Sequence, residues 1–445
     1  MESLEPRETE KPSTVLEVVH ERCAGLDVHK KTVVACVVCP RGRPGSAGSG
    51  GQGRRPGEPV RVSQTFSTMT AGLAALGAWL ANQGVTHVAL EATGVYWKPV
   101  WNVLEAQGRF ALVLVNAEHF RQVPGRKTDV KDAEWLAMLL RHGLVRGSFV
   151  PDQAQRDLRE LTRYRTALIR ERAAEVNRLQ KTLEGANLKL AAVLTDLTGT
   201  SGQAILDALL AGETDPEALA ALAHWRVLKH KREALTQAVV GRLEPGSTLH
   251  FVVTQQLAHL QALDAQLDAC DAKVAEVMRP CATALAALDR IPGVGARTAQ
   301  ILLAEMGTDM TRFPSHRHLA AWAGMAPGNR ESGGKRYPAR ARKGSPWLRG
   351  ALAECAWAAS KSKEGYLAAQ FRRLAARRGK KRAIVAVGHS ILVIAYHVLK
   401  DGTAYEDLGS TYFDQRDRDA VTRRLVKRLE ALGHTVRLDP AAVAA

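Results

Sequence analysis

The chain has 445 residues and a mass of 48.3 kDa, a length that predicts two to four structural units. Hydrophobic residues make up 46% of it, which excludes a globally disordered protein. The 62 Lys and Arg residues exceed the 45 Asp and Glu residues, so the net charge is +17 and the pI is near 9.8. This excess indicates a polyanionic partner, with nucleic acid ahead of an anionic membrane surface.

The sequence favours the cytoplasm. The first residues are polar and acidic, and they lack the basic and apolar blocks of a secretion signal. The most apolar stretch, residues 383–399, contains two His and a Ser, and it predicts a buried helix rather than a membrane span. The six cysteines are few and scattered, which argues against a disulfide scaffold. We therefore expect a cytoplasmic protein with no membrane partner.

Residues 21–150 have the pattern of an α/β domain. Strands are predicted in LDVHKKTVVACVV (a pair with a polar break), VRVSQTFST, THVALEATG and FALVLVNA. Helices are predicted in AGLAALGAWLANQG and VYWKPVWNVLEAQG. A Gly/Pro/Arg-rich insert at residues 41–59 predicts a flexible loop in a hairpin. Alternating strands and helices indicate an α/β fold. Residues 1–20 are predicted to be disordered.

The rest of the chain is predicted to be mainly helical. A long basic helix is expected over residues 152–190, and an Ala/Leu/Gln-rich helix over residues 252–279. These two helices could pair antiparallel within one chain or join two subunits, so we assign residues 151–284 to a coiled-coil region. Residues 285–400 are assigned to a mainly α C-terminal domain, and residues 401–445 to a charged tail.

Four carboxylates in the N-terminal domain form a candidate metal site. Asp27 lies within a strand, Glu91 ends another strand, and Asp129 and Asp132 begin a helix on one of its faces. An acid inside an apolar strand is costly unless it is paired or binds a metal. The four acids could hold one or two Mg²⁺ ions for phosphoryl transfer. Taken alone, each acid could instead be a helix cap or a salt-bridge partner.

Two glycine-containing motifs in the C-terminal domain predict phosphate contacts. In IPGVGARTAQ, the residues Gly293, Gly295 and Arg297 surround a helix start, as in a helix–hairpin–helix element that binds a DNA phosphate. In NRESGGKRYPARARKG, Ser332 precedes two glycines among basic residues, so it is a candidate nucleophile for a phosphodiester. A tight turn and a flexible loop are the structural alternatives for these motifs. The basic residues expected to contact nucleic acid are Arg330, Lys335, Arg336, Arg340, Arg342, Lys343 and Arg349.

The chain resembles the DEDD transposases of bacterial insertion sequences, the family that includes Piv-type DNA invertases and bridge-RNA-guided recombinases. The resemblance rests on these motifs, in this order: GLDVHKK, ALEATGVYW, KTDVKDAEWLA, IPGVGARTAQILLAEMG, WAGMAPGNRESGGKR, KGSPWLRGAL and DLG. It implies a RuvC-like domain of RNase H fold, followed by a C-terminal transposase domain. It also assigns the family's metal-binding acids to Asp27, Glu91, Asp129 and Asp132, with Mg²⁺ or Mn²⁺ as the cofactor. The family's catalytic serine corresponds to Ser332, and Ser345 is its nearest competitor.

The resemblance also implies a mechanism and partners. Ser332 would attack the DNA backbone and form a transient phosphoserine bond beside the metal site of another subunit. Strand exchange would then join a circular element to its target DNA. An RNA encoded by the element would pair with donor and target DNA, and the protein would act as a dimer or tetramer at the nucleoid. One departure from the family is the insert at 41–59, which is longer than the usual hairpin turn.

Three functions are compatible with these motifs. The first is a site-specific recombinase with a two-part active site. The second is a RuvC-like, metal-dependent DNA nuclease or Holliday-junction resolvase, in which Ser332 is only a loop residue. The third is a non-catalytic DNA-binding protein with structural acids. The order of the four acids argues against the third function, and Ser332 in its basic, glycine-rich segment favours the first over the second.

Overall fold

The computed structural model describes residues 17–40, 59–92, 94–116, 129–328, 331–337 and 344–439. The chain divides into two compact units, Met1–Gln153 and Ala154–Ala445. Most of the predicted disordered N-terminus and all of the predicted insert except residue 59 lie outside the described residues.

The N-terminal unit is built on a six-stranded mixed sheet. Its strands are β1 (Cys23–Val28), β2 (Thr32–Cys39), β3 (Val60–Ser67), β4 (His87–Glu91), β5 (Ala111–Val115) and β6 (Gly147–Ser148). They lie in the order β3-β2-β1-β4-β5-β6. Strand β4 pairs in parallel with β1 and with β5, and the other neighbouring pairs are antiparallel. Its helices are α1 (Thr70–Asn82), α2 (Trp97–Ala106) and α3 (Asp129–Arg141). The predicted α/β class is confirmed, and the short strand β6 is the one that sequence analysis did not predict.

The two faces of this sheet carry separate hydrophobic cores, because strand side chains alternate between faces. Leu26 of β1 and Leu90 of β4 belong to a core with residues of α1 and α2. Cys23 of β1 and Ala89 of β4 belong to the opposite core, together with residues of α3. The nearly continuous run of apolar residues in β2 follows from this burial on both faces.

Helix α3 lies so close to β1 that only glycine fits beneath it. A Cβ atom at Gly25 would lie 2.2 Å from the carbonyl oxygen of Ala133 and 2.5 Å from the backbone nitrogen of Ala137. Nearer the start of β1, the Cys23 thiol donates a hydrogen bond to the carbonyl of Ala137 at 3.4 Å. The order of these contacts means that α3 runs antiparallel to β1. The first turn of α3 therefore lies at the carboxyl end of β1.

Residues 17–20 are anchored, although they belong to the segment predicted to be disordered. The N–H groups of Val19 and His20 donate to the carbonyl of Arg141 at 2.9 and 3.0 Å. The His20 ring stacks on the His87 ring of β4, with centroids 3.8 Å apart. Backbone hydrogen bonds to the end of α3 therefore hold residues 19 and 20 against this domain.

The second unit contains two long helices that pair antiparallel. They are α4 (Gln153–Gly185) and α9 (Thr248–Val277), of 33 and 30 residues. Leu168 of α4 packs with Leu263 and Cys270 of α9. Two ion pairs cross between the helices in opposite sequence directions: Arg165–Asp271 and Arg172–Asp264. The structure therefore shows the pairing within one chain, which was one of the two arrangements left open by the sequence.

Four short helices close one end of this pair. They are α5 (Leu190–Val193), α6 (Thr200–Leu210), α7 (Pro216–Ala221) and α8 (Trp225–Ala238). Their core includes Leu206 and Leu235, and it continues onto Leu183 of α4 and Leu257 of α9. This shared core joins the end of α4 to the start of α9, which the antiparallel pairing requires.

The remaining elements form a helical C-terminal region. Its helices are α10 (Ala282–Asp289), α11 (Ala296–Met306), α12 (His316–Trp322), α13 (Pro346–Ser360), α14 (Tyr366–Arg378), α15 (Lys380–Asp401), α16 (Tyr412–Arg416) and α17 (Arg418–Ala431). A short hairpin is formed by β7 (Glu331–Ser332) and β8 (Lys335–Arg336). The prediction of a mainly α region after the sheet domain is confirmed.

Helix α15 is the most apolar element of this region. By length and composition it is the one described helix that could cross a membrane, and 50% of its apolar window is buried inside the protein. It packs against α12, α13 and α14, and the Tyr396 hydroxyl donates to the carbonyl of Phe313 at 3.1 Å. Its apolar composition is therefore accounted for by its position in the core of the unit.

We predict that Gly25→Ala lowers the stability of the N-terminal unit by about 1–3 kcal/mol, because the added methyl group pushes α3 away from β1. The measurement is the midpoint of thermal or urea unfolding. Gly350→Ala in α13 is the control, since a Cβ there meets no atom within 4 Å and alanine favours a helix. Equal effects of the two substitutions would contradict the close contact between α3 and β1.

Candidate active site

Two of the predicted acids are neighbours at the carboxyl end of the parallel strands β1 and β4. The strand register pairs Leu26 with Leu90, so Asp27 and Glu91 are the next residues along in adjacent strands. Because Leu26 and Leu90 face the core under α1 and α2, alternation directs Asp27 and Glu91 to the face that α3 covers. Both residues are half-buried. Ligands of open α/β sheets bind at this carboxyl edge.

The first turn of α3 lies at the same edge. Since α3 runs antiparallel to β1, its first residues lie beyond Gly25, toward Asp27. Asp132 is half-buried in this turn, and Asp129 is the first residue of the helix. The side chain of Asp129 lies outside the described residues. The positive end of the helix dipole favours carboxylates in this turn. The sequence-predicted acids are thus brought to one edge and one face of the sheet by their backbone positions.

Asp27 has a partner that sequence analysis missed. The Nε2 atom of His29 lies 3.2 Å from Oδ2 of Asp27, whose side chain is 12% exposed. The sequence could have indicated this pair, because His29 is two residues after Asp27 and residues two apart in an extended segment share a face. When it is protonated, His29 would stabilise the charge of Asp27, as a cation would.

The donor set fits a hard divalent cation. Carboxylate oxygens are the ligands that Mg²⁺ and Mn²⁺ prefer. Two cysteines face the same core, and burial raises the pKa of Cys23 to about 12 and raises that of Cys36. Across the described side chains, which exclude that of Asp129, no three His, Cys, Asp or Glu residues form a metal-binding group. The magnesium assignment therefore stays a prediction.

Ser332 precedes the turn of a two-stranded hairpin. The register pairs Ser332 with Lys335, and Gly333 and Gly334 between them have φ angles of +56° and +72°. Two successive positive φ angles are those of a type I′ turn, which strongly favours glycine. A Cβ atom at either glycine would meet no atom of the described residues within 4 Å, so none of those residues crowds the turn. The two glycines therefore build an exposed turn directly after Ser332, whose own side chain lies outside the described residues.

Ser345, the competing serine, has a structural role. Its Oγ accepts a hydrogen bond from the N–H of Leu348 at 3.3 Å, and so caps α13. The same hydroxyl donates to Oε2 of Glu305 at 3.1 Å. A nucleophilic serine must give its hydroxyl proton to a base and leave its oxygen free to attack. The two bonds made by Ser345 therefore favour Ser332 as the candidate nucleophile.

Glu305 of α11 is a buried carboxylate that sequence analysis did not single out. It is 1% exposed, and Arg163 of α4 donates to its two oxygens at 2.8 and 2.9 Å. Arg159, one turn earlier in α4, donates to the carbonyls of Ala304 and Glu305, and its guanidinium lies over the Trp322 ring. The available signal was an acid inside the apolar run ILLAEMG, since such an acid requires a partner.

The two glycines of the turn between α10 and α11 differ in their surroundings. Gly293 has a φ of +87°, and a Cβ there would lie 2.3 Å from the carbonyl oxygen of Cys355 in α13. Gly295 is exposed, and a Cβ there would meet nothing within 4 Å. Arg297, in the first turn of α11, is also exposed and pairs with Asp271 at 3.2 Å. Packing accounts for Gly293, so the phosphate-binding prediction depends on Gly295 and the first turn of α11.

The predicted basic contacts are described only in part. Lys335 is exposed opposite Ser332, and Arg349 is half-buried in α13. The backbone of Arg336 lies in β8, while its side chain is outside the described residues. Four further residues also lie outside them: Arg330, Arg340, Arg342 and Lys343.

We predict that alanine substitutions at Gly293 and Gly295 differ in their effect on the free energy of unfolding. Gly293→Ala should lower stability by at least about 1 kcal/mol, because it combines a positive φ with a steric clash against α13. Gly295→Ala should leave the free energy of unfolding within about 0.5 kcal/mol of the wild-type value, since no described residue contacts the added methyl group. Chemical denaturation of both variants is the measurement. A stable Gly293→Ala protein would contradict the packing role.

We also predict that Glu305→Gln lowers stability by about 2–4 kcal/mol, because it leaves the guanidinium of Arg163 without its counter-charge. Asp264→Asn removes the more exposed ion pair with Arg172 and should cost less than about 1 kcal/mol. Urea unfolding of the two variants makes the comparison. Similar costs would mean that burial does not distinguish the two pairs.

Comparison with known proteins gives matches in both halves of the chain. A family model of the DEDD type for insertion element IS110, described as a transposase, matches residues 52–188. A second, described as the transposase IS116/IS110/IS902 family, matches residues 285–372. The first match includes three of the four candidate acids, and the second includes Ser332 and the glycine turn.

Two relatives come from insertion elements. A 43.6 kDa protein of insertion element IS110 from Streptomyces coelicolor is 31% identical over 166 residues, which cover 36% of this chain and 40% of the relative. A 42 kDa protein of insertion element IS900 from Mycobacterium paratuberculosis is 29% identical over 270 residues, which cover 54% of this chain and 66% of the relative. The chain thus spans about 40% and about two thirds of the length of these relatives. With both family models and both relatives in agreement, the chain belongs to the IS110 family of DEDD transposases.

Proposed function

We propose that this protein is a transposase that cuts and rejoins the DNA of an insertion sequence through a serine–phosphodiester intermediate. The observation that carries the proposal is the convergence of Asp27, Glu91 and the first turn of α3 at one edge of the sheet. Acids with purely structural roles would not need to meet at one edge of the sheet. The acids of a metal-dependent phosphoryl-transfer site must do so, because they bind the same ions. Family membership supports the same conclusion.

The acids would hold one or two Mg²⁺ ions, or Mn²⁺ in their place, and the bound metal would stabilise charge on the phosphate oxygens. Asp27 and Glu91 belong to adjacent strands of a rigid sheet, which fixes the spacing of their backbones. Asp129 and Asp132 belong to a helix that the Gly25 contact holds against the same sheet. This rigid support is what a precise ligand set requires.

Ser332 would supply the nucleophile. Its Oγ would attack a DNA phosphorus atom while the bond from that phosphorus to a deoxyribose oxygen breaks, and the serine proton would pass to a base. The leaving deoxyribose oxygen would take up a proton. A deoxyribose hydroxyl of the new partner strand would then attack the phosphoserine and release Ser332. The number of phosphodiester bonds is conserved, so rejoining needs no external energy source.

The neighbours of Ser332 support this role. Lys335 lies directly opposite Ser332 across the hairpin and is exposed, so its ammonium group would stabilise negative charge on the attacked phosphate. The Gly333–Gly334 turn carries no side chain that would block the approach of a DNA backbone. The net charge of +17 supports binding of DNA, and it agrees with a guide RNA encoded by the element. We further propose a dimer or tetramer that acts in the cytoplasm, at the nucleoid.

The serine chemistry predicts a covalent protein–DNA adduct. Wild-type protein, incubated with Mg²⁺, the junction DNA of its element, target DNA and RNA from the element's flanks, should give an adduct that survives denaturation. Ser332→Ala should abolish the adduct. Ser345→Ala is the matched control and should retain the adduct, although it lowers stability by about 1–3 kcal/mol because it removes both the cap of α13 and a hydrogen bond to buried Glu305. Equal cutting by wild type and Ser332→Ala without any adduct would instead indicate a RuvC-like nuclease.

The metal site predicts a separation of binding from catalysis. Asp27→Asn removes metal-binding charge but no group that contacts a phosphate, so cleavage should fall by a factor of at least about 10³. Affinity for DNA, measured by fluorescence anisotropy, should stay within about twofold of wild type. Loss of both properties together with a lower unfolding midpoint would show that Asp27 supports the fold instead.

A further inference from the structure

A cleft of about 540 Å³ lies in the C-terminal part of the second unit, where α14, α16 and α17 meet. Its polar lining is dominated by arginines, with a single carboxylate, that of Asp414, among the lining residues. The arginines are Arg372, Arg373, Arg377 and Arg424. Three of these arginines lie in α14, within the predicted C-terminal domain, and Arg424 lies in the segment that sequence analysis treated only as a charged tail.

Asp407 holds the segment before α16 against the start of α14, and so helps to position two of the helices that line the cleft. Its Oδ1 accepts hydrogen bonds from the N–H groups of Tyr366 at 2.9 Å and Gly409 at 2.7 Å. Its Oδ2 accepts a hydrogen bond from the Tyr405 hydroxyl at 3.0 Å. Partial burial opposes ionisation, but these hydrogen bonds lower the pKa of Asp407 below its usual value. The carboxylate therefore holds the segment before α16 in place near neutral pH.

The four arginines are engaged to different extents. Arg373 lies over the Phe413 ring and 3.9 Å from a carboxylate oxygen of Asp417, and Arg372 donates to the carbonyl of Ser362. In the part of the chain that the structure describes, Arg377 and Arg424 make no hydrogen bond or ion pair. Positive groups that converge on one cleft repel each other unless an anion lies between them. The two unengaged guanidinium groups therefore indicate an anionic ligand.

The shape of the lining favours a phosphate over a base. Guanidinium groups donate two parallel hydrogen bonds to phosphate oxygens. The lining aromatic residue, Phe413, already stacks on Tyr366 with centroids 5.2 Å apart and is covered by Arg373, so its ring is not free to stack on a base. We propose that this arginine cleft binds the phosphodiester backbone of a nucleic-acid strand without reading its bases. That the strand is the transposing DNA, or an RNA bound with it, rests on the proposed function.

The test compares two double variants of the full-length protein. Arg377→Ala with Arg424→Ala removes the two unengaged groups of the cleft. Arg378→Ala with Arg423→Ala removes the same charge one residue away on the same two helices, where the side chains do not line the cleft. Binding is measured by fluorescence anisotropy without Mg²⁺, over a series of salt concentrations. The probes are a labelled DNA duplex and a labelled single-stranded RNA.

We expect the cleft variant to bind more weakly at every sequence tested and to lower the slope of log K against log salt by about 1–2. The control variant should change the slope by less than half of this. Loss for duplex DNA alone, for RNA alone, or for both would support the cleft and identify its strand. Equal slopes for the two variants, or wild-type binding by the cleft variant, would overturn the proposal. Because binding is measured without catalysis, absence of the Ser332 adduct would refute the chemistry and leave this result standing.

Discussion

The ion pair between Glu305 and Arg163 is the contact on which the second unit depends. It joins α4, the long helix, to α11, which follows the glycine turn, and the same carboxylate accepts a hydrogen bond from Ser345 at the start of α13. A carboxylate that is 1% exposed is stable only when its charge and its lone pairs are satisfied. One acid thus fixes the relative positions of three helices, and with them the frame from which the Ser332 hairpin extends.

Asp27 also lies in apolar surroundings, but its partners differ from those of Glu305. An exposed histidine, His29, lies 3.2 Å from Asp27, whereas Glu305 is buried against the guanidinium groups of Arg159 and Arg163. Helix α3, held by the close approach at Gly25, brings a second pair of acids to the same edge of the sheet. Carboxylate oxygens that meet at one site are the ligands that a hard divalent cation prefers. Glu305 is therefore a structural carboxylate, whereas the acids at the edge of the sheet stay predicted metal ligands.

Local patterns predicted much of this structure. Runs rich in β-branched residues predicted the strands, and the Gly333–Gly334 pair agrees with a turn that needs positive φ at both positions. Contacts between distant residues could not be predicted in this way. Arg163 and Glu305 are 142 residues apart, and the segment before α16 is held against the start of α14 by Asp407, which accepts a hydrogen bond from Tyr366 41 residues earlier in the chain. The packing role of Gly293 was likewise missed, because a glycine before a helix has the same sequence pattern whether it contacts a phosphate or a neighbouring helix.

The most direct test of the serine mechanism is to locate the bond between protein and DNA. The covalent adduct would be trapped, digested with nuclease and trypsin, and sequenced by tandem mass spectrometry. Cleavage after Arg330 and Lys335 releases the peptide ESGGK, which contains one hydroxyl side chain, that of Ser332. The serine mechanism predicts a nucleotide mass on this serine. A nucleotide on the peptide that contains Ser345, or joined DNA with no modified peptide at all, would contradict it.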